Sequence, residues 1–140
     1  MIKEKYWIRS CEQNRAGKTT HAYIGGGAAP PKNASQVFFY VVYPFREIRG
    51  FGEFIERIVD DSEKLWNSHG HETCLGSHEQ YDDLMRGKEK ATIVRFKNLH
   101  EGFKPIPFNL ISVILEIEKM PRRGRYINKE QANELIRLLE

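Results

Sequence analysis

The run QVFFYVVYPF, residues 36–45, limits the possible folds of this chain more than any other stretch. Aromatic and β-branched side chains follow one another there, without the polar alternation that an exposed face produces. The run therefore predicts a strand that is buried on both faces and is interrupted by Pro44. Residues 46–59 predict a second strand, in which Gly50 and Gly52 mark a bulge or a bend.

The other predicted elements are short. Residues 4–14 predict a helix that stops near Gly17, although a strand over residues 5–9 is the competing interpretation. Capping residues indicate further helices, and apolar stretches indicate further strands, two of them joined by a turn at 104–107. The helices are expected at 62–67, 77–85 and 128–140, and the strands at 20–27, 91–99 and 108–120.

This order of elements predicts the fold class. Five or six strands and three or four short helices, without regular βαβ alternation, predict an α+β fold that is mainly β. The expected architecture is a PUA-like mixed β-barrel of five to six strands with short peripheral helices. It would form a single domain over residues 1–140, a length that suits one well-packed core.

Composition sets the expected environment of the protein. Hydrophobic residues make up 40% and charged residues 29%, which is a globular profile. No apolar run approaches the roughly eighteen residues of a membrane span, and the N-terminus lacks the order of a signal peptide. We therefore expect a cytoplasmic protein without a membrane partner. Cys11 and Cys74 are expected to be thiols, with no disulfide-linked partner.

The stretch NRAGKTT, residues 14–20, ends like a phosphate-binding P-loop. A P-loop has the pattern G-x-x-x-x-G-K-[ST], and its first glycine begins the cradle of backbone N–H groups around the phosphates. Here Glu12 stands at that first position, and a carboxylate would repel phosphate. The preceding residues are charged rather than a buried strand. A nucleotide-hydrolysing P-loop is therefore not predicted.

Three histidines and a cysteine lie within ten residues of one another. Their spacing, H-x-H-x2-C-x3-H, matches no zinc pattern, and structural zinc usually joins two separate segments. The alternative is a polar, glycine-rich loop between two helices. No metal and no cofactor are predicted, and the candidate ligands, if a metal does bind, are His69, His71, Cys74 and His78.

Basic residues recur beside aromatic residues or glycine. Such groupings suit phosphate contact combined with base stacking, although arginine and lysine are also ordinary solubilising residues. The net charge of +3 permits contact with nucleic acid without requiring it. The groupings are Arg15 with Lys18, Tyr43 with Arg46 and Arg49, Arg95 with Lys97, and Arg122, Arg123 and Arg125 with Tyr126.

Four segments, in this order, resemble the PUA-like β-barrels, which include the ASCH and EVE domains. The segments are GKTTHAY at 17–23, the long strand-forming region at 32–58, KLW at 64–66 and FKNLHEGFKPIPF at 96–108. The chain is most similar to a small, mainly archaeal family of unknown function placed near that superfamily. The ASCH signature is roughly G-x-K-x-x-E-x-R. Here the lysine follows the glycine directly, and the signature's Glu and Arg are not matched.

The resemblance implies a function and a site. It implies that residues 17–20 form the edge of a cleft, and that this cleft binds RNA or a modified nucleotide without catalysis. The residues expected to line the cleft are Lys18, Thr19, Thr20, His21, Tyr43, Arg46 and Arg49. Some ASCH proteins are amidohydrolases of modified nucleosides, so a second possibility is such an enzyme with Lys18 and Thr20 in the reaction. A third is a zinc-stabilised interaction module built on the His/Cys loop.

Overall fold

A computed structural model describes residues 1–25, 33–122 and 124–140 of the chain. Part of the predicted loop at 28–35 and Arg123 of the basic turn therefore lie outside the described residues. The elements in chain order are helix α1 (Glu4–Arg15), strands β1 (Thr20–Gly25), β2 (Gln36–Val41) and β3 (Glu47–Asp61), helix α2 (Ser62–His69), a 3₁₀ turn (Gly70–Glu72), helix α3 (His78–Met85), strand β4 (Lys90–Pro107), and helices α4 (Phe108–Leu115) and α5 (Lys129–Leu139).

The strands form one antiparallel sheet in the order β1-β4-β3-β2. This confirms the predicted mainly-β α+β class. The predicted barrel of five to six strands is not confirmed, because the described residues form four strands in a sheet that is not closed. Within the described part of the chain, no helix has the length and apolar character needed to cross a membrane.

The strand predicted at 108–120 is wrong, because the chain forms α4 over Phe108–Leu115. A continuous apolar run does not distinguish a buried strand from a buried helix. The structure shows the helical period, since Ile111 and Leu115, four residues apart, are both buried. The turn predicted at 104–107 is also wrong, because β4 continues to Pro107. These two differences account for much of the reduced strand count.

The sheet curls so strongly that side chains of its two outer strands touch. Tyr23 lies on β1 and Phe39 on β2, and their ring centroids are 5.8 Å apart. In a flat sheet three strand spacings would separate them by about 14 Å. Phe96 of β4 contacts both rings, at 6.2 and 4.8 Å. The concave side of the sheet therefore holds an aromatic core, to which Trp7 of α1 is added at 5.4 Å from Phe39.

Two other apolar clusters attach the remaining helices to the sheet. Helices α4 and α5 pack on one end through Ile111, Leu115, Leu135 and Leu139. Helices α2 and α3 pack on the other end through Leu65, Tyr81 and Met85, against Ala91 and Ile93 of β4. The capping box predicted at the start of α5 is present, with Asn128 and Gln131 each accepting a hydrogen bond from the other's backbone N–H.

The bulge predicted in β3 lets α1 approach the sheet. Pairing between β3 and β4 shifts register between Ile48 and Gly50 and again between Phe51 and Glu53. A Cβ atom on Gly50 would lie 2.6 Å from the ring of Trp7 and closer still to a backbone carbonyl oxygen of β4. A side chain at this position would therefore push the helix away from the strand.

We expect Gly50→Ala to lower the free energy of unfolding by about 2–3 kcal/mol, because the added methyl group overpacks the contact with Trp7. Urea denaturation followed by circular dichroism measures this change. The matched control is Gly76→Ala, whose new methyl group would meet only the Gln80 side chain, at 3.7 Å or more, and should leave stability unchanged. Equal stability of the two variants would contradict the close contact.

Candidate functional site

The structure divides the seven predicted site residues into two groups at opposite ends of α1. Lys18 Nζ donates hydrogen bonds to Gln13 Oε1 and to the backbone oxygen of Thr73, both at 3.0 Å. Arg49 instead forms an ion pair with Glu4, at 2.8 Å. Nine residues separate the two helix positions, which corresponds to about 14 Å along the axis. The two groups therefore do not form one compact patch.

The first group, residues 18–21, lies at the start of β1 and just before it. Thr19 is exposed, whereas His21 is only 1% exposed, and its ring stacks on Phe96 with centroids 5.2 Å apart. Its Nε2 lies 3.2 Å from Asn14 Oδ1. Burial, and then the charge of Lys18, lower the pKa of His21, so the ring is neutral at pH 7. Burial also lowers the pKa of Lys18.

The second group surrounds the turn between β2 and β3. Tyr43 is 84% exposed there. Arg46 has a left-handed backbone, with φ of 53°, and its guanidinium group lies 4.8 Å from the centre of the Phe108 ring. Arg49 lies over Phe45 at 4.7 Å and also pairs with Glu47 at 2.7 Å. Arg49 is thus neutralised by two carboxylates, whereas Arg46 and Tyr43 face outward.

Glu72, which the sequence analysis did not identify, is the centre of a buried polar network beside β1. It is 6% exposed and accepts two hydrogen bonds from Arg95 at 2.8 Å and one from His69 Nδ1 at 2.8 Å. Burial alone would raise the pKa of Glu72, but these hydrogen bonds hold it below its ordinary value. Ala22 bridges to Thr73, which keeps this carboxylate next to β1.

The position of Glu72 bears on the amidohydrolase alternative, which needs a carboxylate near Lys18 and Thr20. The charge of Glu72 acts on Lys18 through space. Both carboxylate oxygens, however, already accept hydrogen bonds from Arg95. Glu72 therefore holds its own segment against the sheet. Nothing in the sequence pairs it with Lys18, because the two come from distant segments that only the fold brings together.

The four candidate metal ligands of the His/Cys loop point to different partners. His69 binds Glu72, and His71 is exposed. Burial raises the pKa of Cys74, which packs toward α1. His78 lies beside Glu63, at 3.0 Å. These four side chains do not converge on one point. Both cysteines of the chain are free thiols.

A cleft of about 1040 Å³ lies between the curled sheet and the described residues of the segment 120–133, which leave out Arg123. Its walls carry three basic side chains, Lys97, Arg125 and Lys129. Three tyrosines also line it: Tyr23 from β1, the buried Tyr40 from β2 and the half-exposed Tyr126. Three of these residues belong to basic groupings visible in the sequence, which did not indicate that they share a cleft. The seven residues predicted as the site lie outside this lining as far as the structure describes it.

Hydrogen bonds and charge shape the cleft walls. The backbone N–H of Asn33 donates to the Tyr126 hydroxyl group at 3.4 Å, which joins the two sides. Glu53 is a carboxylate on the sheet wall, 4.0 Å from Lys97 Nζ. Burial raises the pKa of Tyr23 to about 12, so its hydroxyl group stays protonated. The cleft is therefore basic and aromatic, with one acidic group beside a cation.

We expect Glu72→Gln to lower the free energy of unfolding by about 3 kcal/mol, because Arg95 loses a buried anionic partner. In the parent protein this stabilisation is present above the ordinary glutamate pKa of 4.5 and is lost as the pH falls through the lowered pKa of the folded state. Stability curves from pH 3 to pH 7 should therefore be flatter for the variant. Glu118→Gln, which changes an exposed carboxylate, is the control. Parallel curves for Glu72→Gln and the parent would contradict the prediction.

Comparison with known proteins supports the resemblance seen in the sequence. No protein-family model matches the chain. An "ASCH domain-containing ribonuclease" from Zymomonas mobilis is 29% identical over 109 residues, which cover 77% of this chain and 72% of that protein. The crystal structure of ASCH from Zymomonas mobilis matches with a TM-score of 0.76 and 22% identity, covering 98% of this chain and 91% of that one.

Two variants of the Zymomonas protein match equally well. A tyrosine-to-phenylalanine variant has a TM-score of 0.75 at 22% identity, covering 95% of this chain and 93% of that one. A serine-to-alanine variant has a TM-score of 0.75 at 23% identity, covering 98% and 92%. The chain therefore has the fold of the Zymomonas ASCH structures, and its sequence is similar to that of an ASCH domain-containing protein.

Proposed function

We propose that this protein binds RNA, in single-stranded form, in the cleft between the sheet and residues 120–133. The observation that carries the proposal is the placement of three cations and three tyrosines in one cleft. Cations contact the phosphate backbone of a single strand, and aromatic rings stack on its unpaired bases. The name of the Zymomonas relative, a ribonuclease, supports a role connected with RNA.

The size of the cleft favours a polynucleotide over a free nucleoside. Small-molecule pockets usually have volumes of about 300–1,000 Å³, and this cleft, at about 1040 Å³, lies just above that range. Its basic groups also come from separate elements: Lys97 from β4, Arg125 from the segment before α5, and Lys129 from the first position of α5. Cations distributed in this way suit several phosphates in a row better than a single phosphate group.

The residues first predicted as the site remain part of the proposal as secondary contacts. Tyr43 and Arg46 are the most suitable, because the ring is exposed and the guanidinium group has no acidic partner among the described residues. Both belong to the turn after β2, the strand that contributes Tyr40 to the cleft. An RNA that leaves the cleft at that end could stack one of its bases on Tyr43. Lys18 and Thr19 lie near the other end of α1.

We expect the double variant Lys97→Ala/Lys129→Ala to bind a short single-stranded RNA more weakly at low salt. Each lost phosphate contact should reduce the slope of log affinity against log salt by about 0.7, so by about 1.4 in total. Fluorescence anisotropy at several salt concentrations measures both quantities. The matched control is Lys88→Ala/Lys104→Ala, which removes two exposed lysines outside the cleft. If both double variants lose affinity equally, the cleft is not the binding site.

A second candidate function is cleavage of the bound RNA. It is favoured by the carboxylate of Glu53, which lies 4.0 Å from the Lys97 ammonium group on the cleft wall. Glu53 could take the proton of a ribose 2′-hydroxyl group as that oxygen attacks the adjacent phosphorus. The bond from phosphorus to the 5′-oxygen of the next nucleotide then breaks, that oxygen takes a proton from water, and a 2′,3′-cyclic phosphate remains. Lys97 could then stabilise the negative charge that develops on the phosphate oxygens. The name of the relative gives this candidate its chemical class.

We expect Glu53→Gln to slow cleavage of a single-stranded RNA by about a hundredfold, because the general base is lost, while RNA affinity is retained. Gel analysis of end-labelled RNA measures cleavage, and anisotropy measures binding. Glu89→Gln, which changes an exposed carboxylate outside the cleft, should cleave like the parent. An intact RNA substrate after long incubation with the parent protein would remove this candidate and leave RNA binding unaffected.

A further inference from the structure

We propose that Glu63, His78 and Asp82 form a binding site for a divalent first-row transition-metal ion such as Zn²⁺ or Mn²⁺. One ligand atom from each of the three side chains lies within 4.8 Å of the other two. His78 Nε2 is 3.0 and 3.1 Å from the two carboxylate oxygens of Glu63, and His78 Nδ1 is 3.4 Å from Asp82 Oδ2. The site lies on the outer side of α2 and α3, away from the cleft.

These distances agree with metal coordination. Nitrogen and oxygen ligands lie about 2.0–2.2 Å from Zn²⁺, so neighbouring ligand atoms are about 3.0–3.5 Å apart. The separation of His78 Nε2 from Glu63 already falls in this range. An imidazole offers one nitrogen to an ion, so the Asp82 side chain turns from Nδ1 toward Nε2 when the ion binds. Water completes the coordination, because all three residues are exposed.

The two helices that carry the ligands are held in a fixed relationship. His78 and Asp82 are four residues apart on α3, so they lie on the same face of that helix. The buried Tyr81 of α3 donates a hydrogen bond from its hydroxyl group to the backbone oxygen of Ser62, beside Glu63, at 2.8 Å. The two helices are therefore held together before any ion arrives, and only the Asp82 side chain has to turn.

The ligand set and the local charge indicate the class of ion. One imidazole nitrogen and two carboxylates suit Mn²⁺, Co²⁺, Ni²⁺ or Zn²⁺, whereas Mg²⁺ prefers oxygen ligands and keeps its water. Helix α3, HEQYDDLM, has three carboxylates and no lysine or arginine, which favours a cation. Because Glu63 comes from α2, a bound ion would link the two helices. It would thereby stabilise the segment that contains Glu72.

Trp66 provides a direct measurement of binding. Its ring lies 5.6 Å from the His78 ring, whereas Trp7 is buried in the aromatic core. We expect Ni²⁺ to quench the Trp66 fluorescence of the RNA-free protein in a saturable manner, with no competition from Mg²⁺. Trp66→Phe should remove the quenching, while isothermal calorimetry of that variant still detects Ni²⁺ binding. Zn²⁺ should raise the thermal midpoint of the parent protein.

Three variants and one control test the ligand assignment. His78→Gln, Asp82→Asn and Glu63→Gln should each weaken Ni²⁺ binding by at least about tenfold. The control His71→Gln, which changes another exposed histidine, should bind Ni²⁺ like the parent. Circular dichroism checks that the variants fold.

Two results would overturn the proposal. Unchanged quenching in His78→Gln would mean that the ion binds elsewhere. Loss of binding in His78→Gln together with full binding in both Asp82→Asn and Glu63→Gln would indicate an ordinary surface histidine. Because the measurements contain no RNA, neither result affects the proposed RNA function.

Discussion

Glu72 is buried as an anion, and its neighbours are arranged so that this burial is possible. Removing a carboxylate from water costs several kcal/mol unless cations and hydrogen bonds compensate. Arg95 provides two hydrogen bonds from β4, and His69 provides another. The next residue, Thr73, bonds to Gly70 through its hydroxyl group and accepts from Lys18 through its backbone oxygen. The segment between β3 and β4 is thereby attached to the outer strand β1.

The curl of the sheet has a functional consequence, because it turns one sheet face into a concave wall. Contacts among Tyr23, Phe39 and Phe96 bring the outer strands together, and bulges in β3 allow the bend. The strands do not close over the remaining space, and residues 120–133 form the opposite wall. A cleft built in this way has an aromatic floor and can take its charges from elements far apart in sequence. That combination fits a flexible, charged polymer with flat bases.

Elements that have local signals could be predicted from the sequence. Helix α1, both capped helices after β3, α5 with its capping box, and the β2–β3 pair follow from spacing, caps and β-branched runs. Helix α4 was mispredicted because an unbroken apolar run has no period that separates helix from strand. The fold also brings together residues that are distant in the sequence, and local sequence signals do not reveal these contacts.

Two features of the site illustrate this limit. Glu72 is distant in sequence from Lys18, and its role depends on a bridge between Ala22 and Thr73. Lys97, Arg125 and Tyr126 were recognised as basic or aromatic positions, but their common cleft depends on the curl of the sheet. Lys18 and Arg49 were predicted in one site but contact opposite ends of α1, because positions in the sequence do not determine distances in space.

The strand order also determines when the chain can fold during synthesis. Strand β1 pairs only with β4 in the described sheet, so Thr20 cannot form its strand pairing until Lys97 has been synthesised. At a synthesis rate of about 5–20 residues per second, this delay is on the order of several seconds. During that time the unpaired edge of β1 lacks its final partner. The β2–β3 hairpin is complete much earlier, so a nascent chain carries a formed hairpin while its first strand is still exposed to chaperones.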